Sequence, residues 1–197
     1  MAKNPYKGPD RFTVAAKQQG YPARSIFKLE EIDRRLRLLK PGMTILDLGS
    51  SPGSWSMYAA TRIGKNGRLL SVDLKPLDVT LVEPSVFVEG DALSLANEQL
   101  SMFAPYDIVL SDMAPSTTGN RMSDQARSFE LFMRALDVAA ALGKPGGAFV
   151  GKIFMGEEFT QAKKAVKEHF FEERAMRPEG TRTSSYELFL IGLRKKP

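Results

Sequence analysis

The chain has 197 residues, of which 43% are hydrophobic and 26% charged, with no cysteine, one histidine and a formal net charge of +5. That is the size and balance of one globular domain, and the missing cysteines exclude disulfides, thiolate metal sites and cysteine nucleophiles. With His169 as the only imidazole, neither a metal centre nor a Ser-His-Asp triad is expected, and no run of 18 or more apolar residues exists to span a membrane.

Charge is concentrated at the start. Residues 1–40 hold ten basic and four acidic residues, a net of +6, so the other 157 carry −1. A basic segment on a near-neutral body suits contact with a polyanion such as a nucleic acid, although a solubilising tail has the same composition. The opening "MAKNPYKGPDRF" lacks the apolar centre of a signal peptide, and a cytoplasmic location is expected. Residues 1–22 read as a basic, flexible segment ahead of a single domain over 23–197.

Within 23–38, Ile26, Leu29, Ile32 and Leu36 recur at helical spacing, and "KPG" ends that helix. Strands and helices then alternate. Strands are expected at 43–49, 67–74, 85–91, 106–112 and 147–154, and a last one at 184–194. Helices are expected at 54–64, 123–143 and 157–170, the second with Ser123 as N-cap and Gly143 as its stop. Short, continuously apolar strands alternating with helices define an α/β fold: a mainly parallel sheet covered on both faces. No helix separates the last strand from the residues before it, so a hairpin there would run that strand antiparallel.

Ligands bind such sheets at the carboxyl ends of the strands. The first strand ends in "DLGSSPGSW", where Gly49 and Gly53 allow a tight turn and close backbone approach. Asp73, twenty residues past Gly53, can accept hydrogen bonds from both hydroxyls of a ribose. Asp91 and Asp112 end two further strands. A nucleoside-bearing cofactor accounts for this set. The loop lacks the middle glycine of a dinucleotide fingerprint, Pro52 removes a phosphate-binding N–H, and no P-loop is present. S-adenosylmethionine, which has a ribose but no phosphate, fits better than a nicotinamide. Taken singly, each aspartate could equally be a turn former or helix cap.

These motifs, in this order, resemble the FtsJ/RrmJ-type ribose 2′-O-methyltransferases, and within them the bacterial enzymes acting on 23S ribosomal RNA. The resemblance runs from about Ala23 to Arg194. It rests on "ARSIFKLEEID", "LLKPGMTILDLGSSPGSW", "VDLKPL", "DIVLSDMAPSTTG", "GGAFVGKIF" and "RTSSYELFLIG". It implies a Rossmann-like S-adenosylmethionine-dependent methyltransferase fold with a seven-stranded, mainly parallel sheet and an antiparallel last strand. It also implies a Lys-Asp-Lys-Glu tetrad at Lys28, Asp112, Lys152 and Glu187, and cofactor contacts at Gly53, Trp55, Asp73, Asp91 and Asp112. The product would be S-adenosylhomocysteine, and the substrate a uridine ribose of the large ribosomal subunit. A monomer without metal is expected. The chain departs from the family at Ser50, Ser51 and Ser54 and in "STTG" after Asp112-Met-Ala-Pro, which leaves target choice open. Transfer RNA or another RNA as substrate, and a non-catalytic ribosome-assembly role, are the alternatives.

Methylating a ribose hydroxyl needs a group to take its proton. A lysine does so only where its surroundings favour the neutral amine. Desolvation and a second cation push that way, and carboxylates push back. Sequence leaves the balance, and the choice between the two lysines, open. In a 3-2-1-4-5 strand order Asp112 and Lys152 are neighbours, and an antiparallel strand beside the fifth brings Glu187 to the same edge. Lys28 is placed by the resemblance alone. Trp55 reads either as a wall of the cofactor pocket or as core packing. Arg24, Arg34, Arg35 and Arg37 read either as phosphate contacts for RNA or as a solvated helix face. No aromatic stacking platform is legible.

Overall fold

The computed structural model of the chain describes residues 10–182 and 185–197. Lys3 and Lys7 of the terminal segment, and Ser184 of the expected last strand, lie outside them. Helices α1 (Arg11–Gln18) and α2 (Ile26–Leu36) precede strand β1 (Thr44–Leu48). Then follow α3 (Ser54–Ile63), β2 (Arg68–Asp73), β3 (Ser85–Glu89), the single turn α4 (Asn97–Leu100), β4 (Tyr106–Ser111) and α5 (Arg121–Leu142). The chain continues through β5 (Gly143–Phe154), α6 (Phe159–His169), β6 (Phe170–Met176) and β7 (Glu187–Lys195).

The seven strands form one sheet in the order β3-β2-β1-β4-β5-β7-β6. Strands β1 to β5 pair in parallel, and β7 runs antiparallel to both its neighbours, β5 and β6. Alternate residues of each central strand feed two cores. Leu46, Leu70, Val109, Phe149 and Leu190 pack under α5 and α6, through Phe132, Leu136 and Val166. Ile45, Leu69, Ile108, Val150 and Ile191 pack under α2 and α3, through Leu29, Ile32 and Ile63. Both faces are therefore covered, which is why these strands read as unbroken apolar runs.

Four features differ from the pattern in the sequence. A helix, α1, occupies part of the segment that carried no predicted element. The Asp10 side chain accepts from the N–H groups of Phe12 and Thr13, and the Phe12 ring lies 5.6 Å from Phe27 of α2. The long helix starts at Arg121 rather than Ser123, because Asn120 is the cap: its side chain accepts the Ser123 N–H at 3.2 Å. The seventh strand is β6, "FFEERAM", whose mixed polarity hid it. Aspartate 47 is not at the sheet's edge. It pairs with Ser71 and Leu110 inside the sheet and turns under α3.

Candidate active site

At the carboxyl ends of β1, β2 and β4 a cavity of about 440 Å³ opens, lined by the 49–52 turn, Asp73, Lys75, Asp91, Asp112 and Met113, among others. Its base depends on one glycine. Gly49 has φ +75°, and a Cβ there would stand 2.6 Å from Met113 Cγ and 2.8 Å from the Met113 backbone. Only glycine lets the two strand ends approach this closely.

The acids are held by main chain. Asp73 accepts N–H groups from Ser51 and Lys75, each at 2.9 Å, one on each oxygen. Asp91 accepts the Leu93 N–H at 2.9 Å. Each carboxylate oxygen has a second lone pair, so acceptor capacity toward the cavity remains. Three carboxylates against Lys75, with no arginine in the lining, suit a ligand rich in hydroxyl and amino donors and positive in charge. They do not suit a pyrophosphate.

Beneath the turn lies a buried polar chain. Ser56 Oγ donates to Asp47 Oδ2 at 2.6 Å, and Ser71 Oγ lies 2.9 Å from Ser56 Oγ. Asp47 Oδ1 has no hydrogen-bond partner among the described residues. Burial pushes the Asp47 carboxyl up to about 7; the Ser56 hydrogen bond opposes this, while the Asp112 and Asp73 carboxylates add to it.

Four charged groups meet on the α2 side of β5 and β7. Lys152 Nζ lies 2.9 Å from Asp112 Oδ1 and also donates to the Asp112 main-chain oxygen. Lys28 Nζ is ion-paired with Glu187. Both lysines are more than nine-tenths buried, at 9% and 7% exposure for Lys28 and Lys152. Sheet register explains the grouping. Lys152 pairs with Phe189 and Phe154 with Glu187, so Lys152, Glu187 and Phe189 project from the same face. That face is covered by α2, which carries Lys28, and Lys28 Nζ sits 6.0 Å from the Phe189 ring centroid. No spacing in the sequence places Lys28 or singles out Phe189; this shared face accounts for both. Glu187 lies diagonal to Lys152, and its ion-pair partner is Lys28.

Trp55 does not line the cavity. It is 2% exposed, donates its indole N–H to the Ser25 carbonyl at 2.9 Å and packs 5.6 Å from Phe189. Gly53 also lies away from the lining. It caps α3 at φ +113°, and a Cβ there would strike Val79 Cγ2 at 2.4 Å. The four arginines divide. Arg24 is tied to Asp10 and to the Gly180 carbonyl, and Arg35 pairs with Glu31 at 2.6 Å. Arg34 and Arg37 are exposed, with no ion-pair partner among the described residues.

A seven-stranded sheet with an antiparallel β7 between β5 and β6, and an acidic cleft over β1, β2 and β4, defines the class: a Rossmann-like methyltransferase. Solved structures agree on the fold. A Plasmodium falciparum protein provisionally assigned as a ribosomal RNA methyltransferase matches with a TM-score of 0.77 at 24% identity, over 89% of this chain and 98% of that one. Human methyltransferase-like protein 13, in complex with SAH, matches with a TM-score of 0.54 at 14% identity, over 86% and 77%. The chain belongs to the FtsJ-like methyltransferase family, whose profile matches residues 21–195. It is 65% identical to the ribosomal RNA large subunit methyltransferase E of Sorangium cellulosum, over 98% of this chain and 92% of the relative. It is 47% identical to the protein of that name from Bdellovibrio bacteriovorus, over 97% and 99%.

Proposed function

We propose that this chain methylates the 2′-hydroxyl of a ribose, a uridine's, in 23S ribosomal RNA of the large subunit, with S-adenosylmethionine as donor. It acts as a cytoplasmic monomer, without a metal. The relatives' names support the substrate, and the acidic cavity supports the cofactor. One observation carries the reading: Asp112 both lines the cavity and holds the buried Lys152, so a proton acceptor stands beside the place of methyl transfer.

S-adenosylmethionine supplies an electrophilic methyl group on a sulfonium centre and leaves as S-adenosylhomocysteine. Asp73 and Asp91 would accept its hydroxyl and amino hydrogens, and the excess of carboxylates would favour its positive charge. Trp55 and Gly53 support this pocket from outside: Trp55 backs Phe189, and Gly53 starts α3. Lys152 takes the proton from the attacking hydroxyl. A neutral amine has two N–H groups and one lone pair. Both N–H groups can stay on the Asp112 carboxylate and carbonyl oxygens, which leaves the lone pair on the side away from Asp112, free to take a proton. Once Lys152 has taken the proton, Lys28 and Glu187 complete a set of two cations and two anions, whose zero sum makes burial tolerable. Arg34 and Arg37, with the terminal lysines, contact RNA phosphates.

The test is Lys152→Ala in a tritiated-methyl assay on large subunits from cells lacking the enzyme. Turnover is expected to fall about 10²- to 10⁴-fold, with donor affinity by calorimetry retained. Near-native turnover would sink the assignment of Lys152, and digestion of the labelled RNA identifies the methylated ribose.

A further inference from the structure

A second cluster stands where β5 and β7 reach the carboxyl edge of the sheet. The Met155 N–H donates to the Tyr186 carbonyl at 2.8 Å, continuing the ladder one step past the Phe154–Glu187 pair. The Tyr186 ring meets Phe154 edge-on, with centroids 4.9 Å apart. The Arg121 guanidinium, from the first turn of α5, lies 5.1 Å over the same ring. Gln125 of α5 donates to the Met155 carbonyl, fixing this corner to the helix. Arg121 is exposed and has no carboxylate partner among the described residues. Met155 and Met122 beside it are 43% and 73% exposed.

An exposed guanidinium layered on a tyrosine ring, with exposed Met122 next to it in the chain and exposed Met155 bonded to the tyrosine's carbonyl, is a flat cationic surface open to solvent. Its place is informative. Glu187 turns to the α2 face, where it meets Lys28, while the ring of the adjacent Tyr186 lies under Arg121 of α5. The cluster and the Lys28–Glu187 pair are therefore one residue of chain apart. We propose that Arg121, Tyr186 and Met155 form a stacking platform for a nucleotide of the RNA strand that flanks the ribose being methylated. The base lies against the guanidinium and phenol, and the charge of Arg121 serves the adjoining phosphate. An RNA nucleotide is favoured over a protein segment because a single nucleotide carries both a base for the flat face and a phosphate for the cation. This rests on the RNA substrate proposed above.

Affinity for large ribosomal subunits from cells lacking the enzyme tests it, by filter binding across a salt series. Tyr186→Ala is expected to bind about tenfold more weakly, with the salt slope unchanged. Tyr186→Phe should bind as the native chain does. Arg121→Ala should also weaken binding and lower the slope of log affinity against log salt by about 1. Arg121→Glu, at an exposed position that folding tolerates, should bind still more weakly. The platform is overturned if Tyr186→Ala or Arg121→Glu binds within twofold of the native chain, or if Arg121→Ala keeps the native slope. Methyl transfer measured alongside separates the two proposals. Weakened variants of a native chain that binds subunits but transfers no methyl group leave the platform standing and remove the reaction. A native chain that transfers methyl groups, with variants binding equally well, removes the platform alone.

Discussion

Replacing Asp47 by asparagine should change how stability depends on pH more than any single surface substitution. The native carboxyl is fully buried and pushed up to about 7, whereas an unfolded aspartate titrates near 3.9. The sign follows from which state holds the proton. Between those values the native state is the more protonated one, so stability falls as pH rises from about 4 to about 7 and then levels off. One such group loses on the order of 2–3 kcal/mol between pH 5 and pH 8. In a chain of this length that corresponds to a melting shift of roughly 5–10 °C. Asparagine keeps an acceptor for the Ser56 hydroxyl and has no charge to desolvate. Thermal melts of both proteins at half-unit steps from pH 5 to pH 8 should therefore diverge, with the native chain losing ground to the variant as pH rises. Parallel curves would refute the reasoning and mean that Asp47 ionises freely where it lies.

Gly49→Ala forces a methyl group against the Met113 backbone and a side chain into left-handed φ. It should cost more than about 2 kcal/mol in urea melts and weaken donor binding through the displaced Asp112. Trp55→Phe leaves the Ser25 carbonyl unpaired and should cost about 1–3 kcal/mol, with donor affinity by calorimetry unchanged. A large loss of affinity would return Trp55 to the cofactor wall. Arg24→Ala should speed hydrogen exchange in α1 while shifting global stability by only about 1 kcal/mol or less, as partly exposed ion pairs do.

Much of this molecule is legible in the sequence because β1, β2, β4 and the second half of β5 are buried on both faces, and burial imposes unbroken apolar runs such as "TILDL". Edge strand β6 escapes for the opposite reason. It pairs on one side only and exposes Phe171, Arg174 and Ala175, so its composition imitates a helix or loop. Helix α1 escapes because its cap, Asp10, and its contact with Phe27 are tertiary support for eight residues of unremarkable propensity. Asp112 and Lys152 follow from strand order. Lys28 and Phe189 do not, because the alternation that sends β7 residues toward α2 depends on a register that no spacing in the sequence specifies. The pairing of Arg121 with Tyr186 joins α5 to the start of β7, and local pattern carries no trace of it.

The place of β7 has a consequence for how the protein is made. It lies between two strands, β5 and β6, that both precede it in the chain. Until it is made, the edges of β5 and β6 that it pairs with stay open, a state prone to pairing with other chains. The strand that fills the gap also delivers Glu187 to Lys28, a residue made near the beginning. An incomplete chain can thus bury much of its first core, yet its charge cluster stays unbalanced until the closing strand arrives.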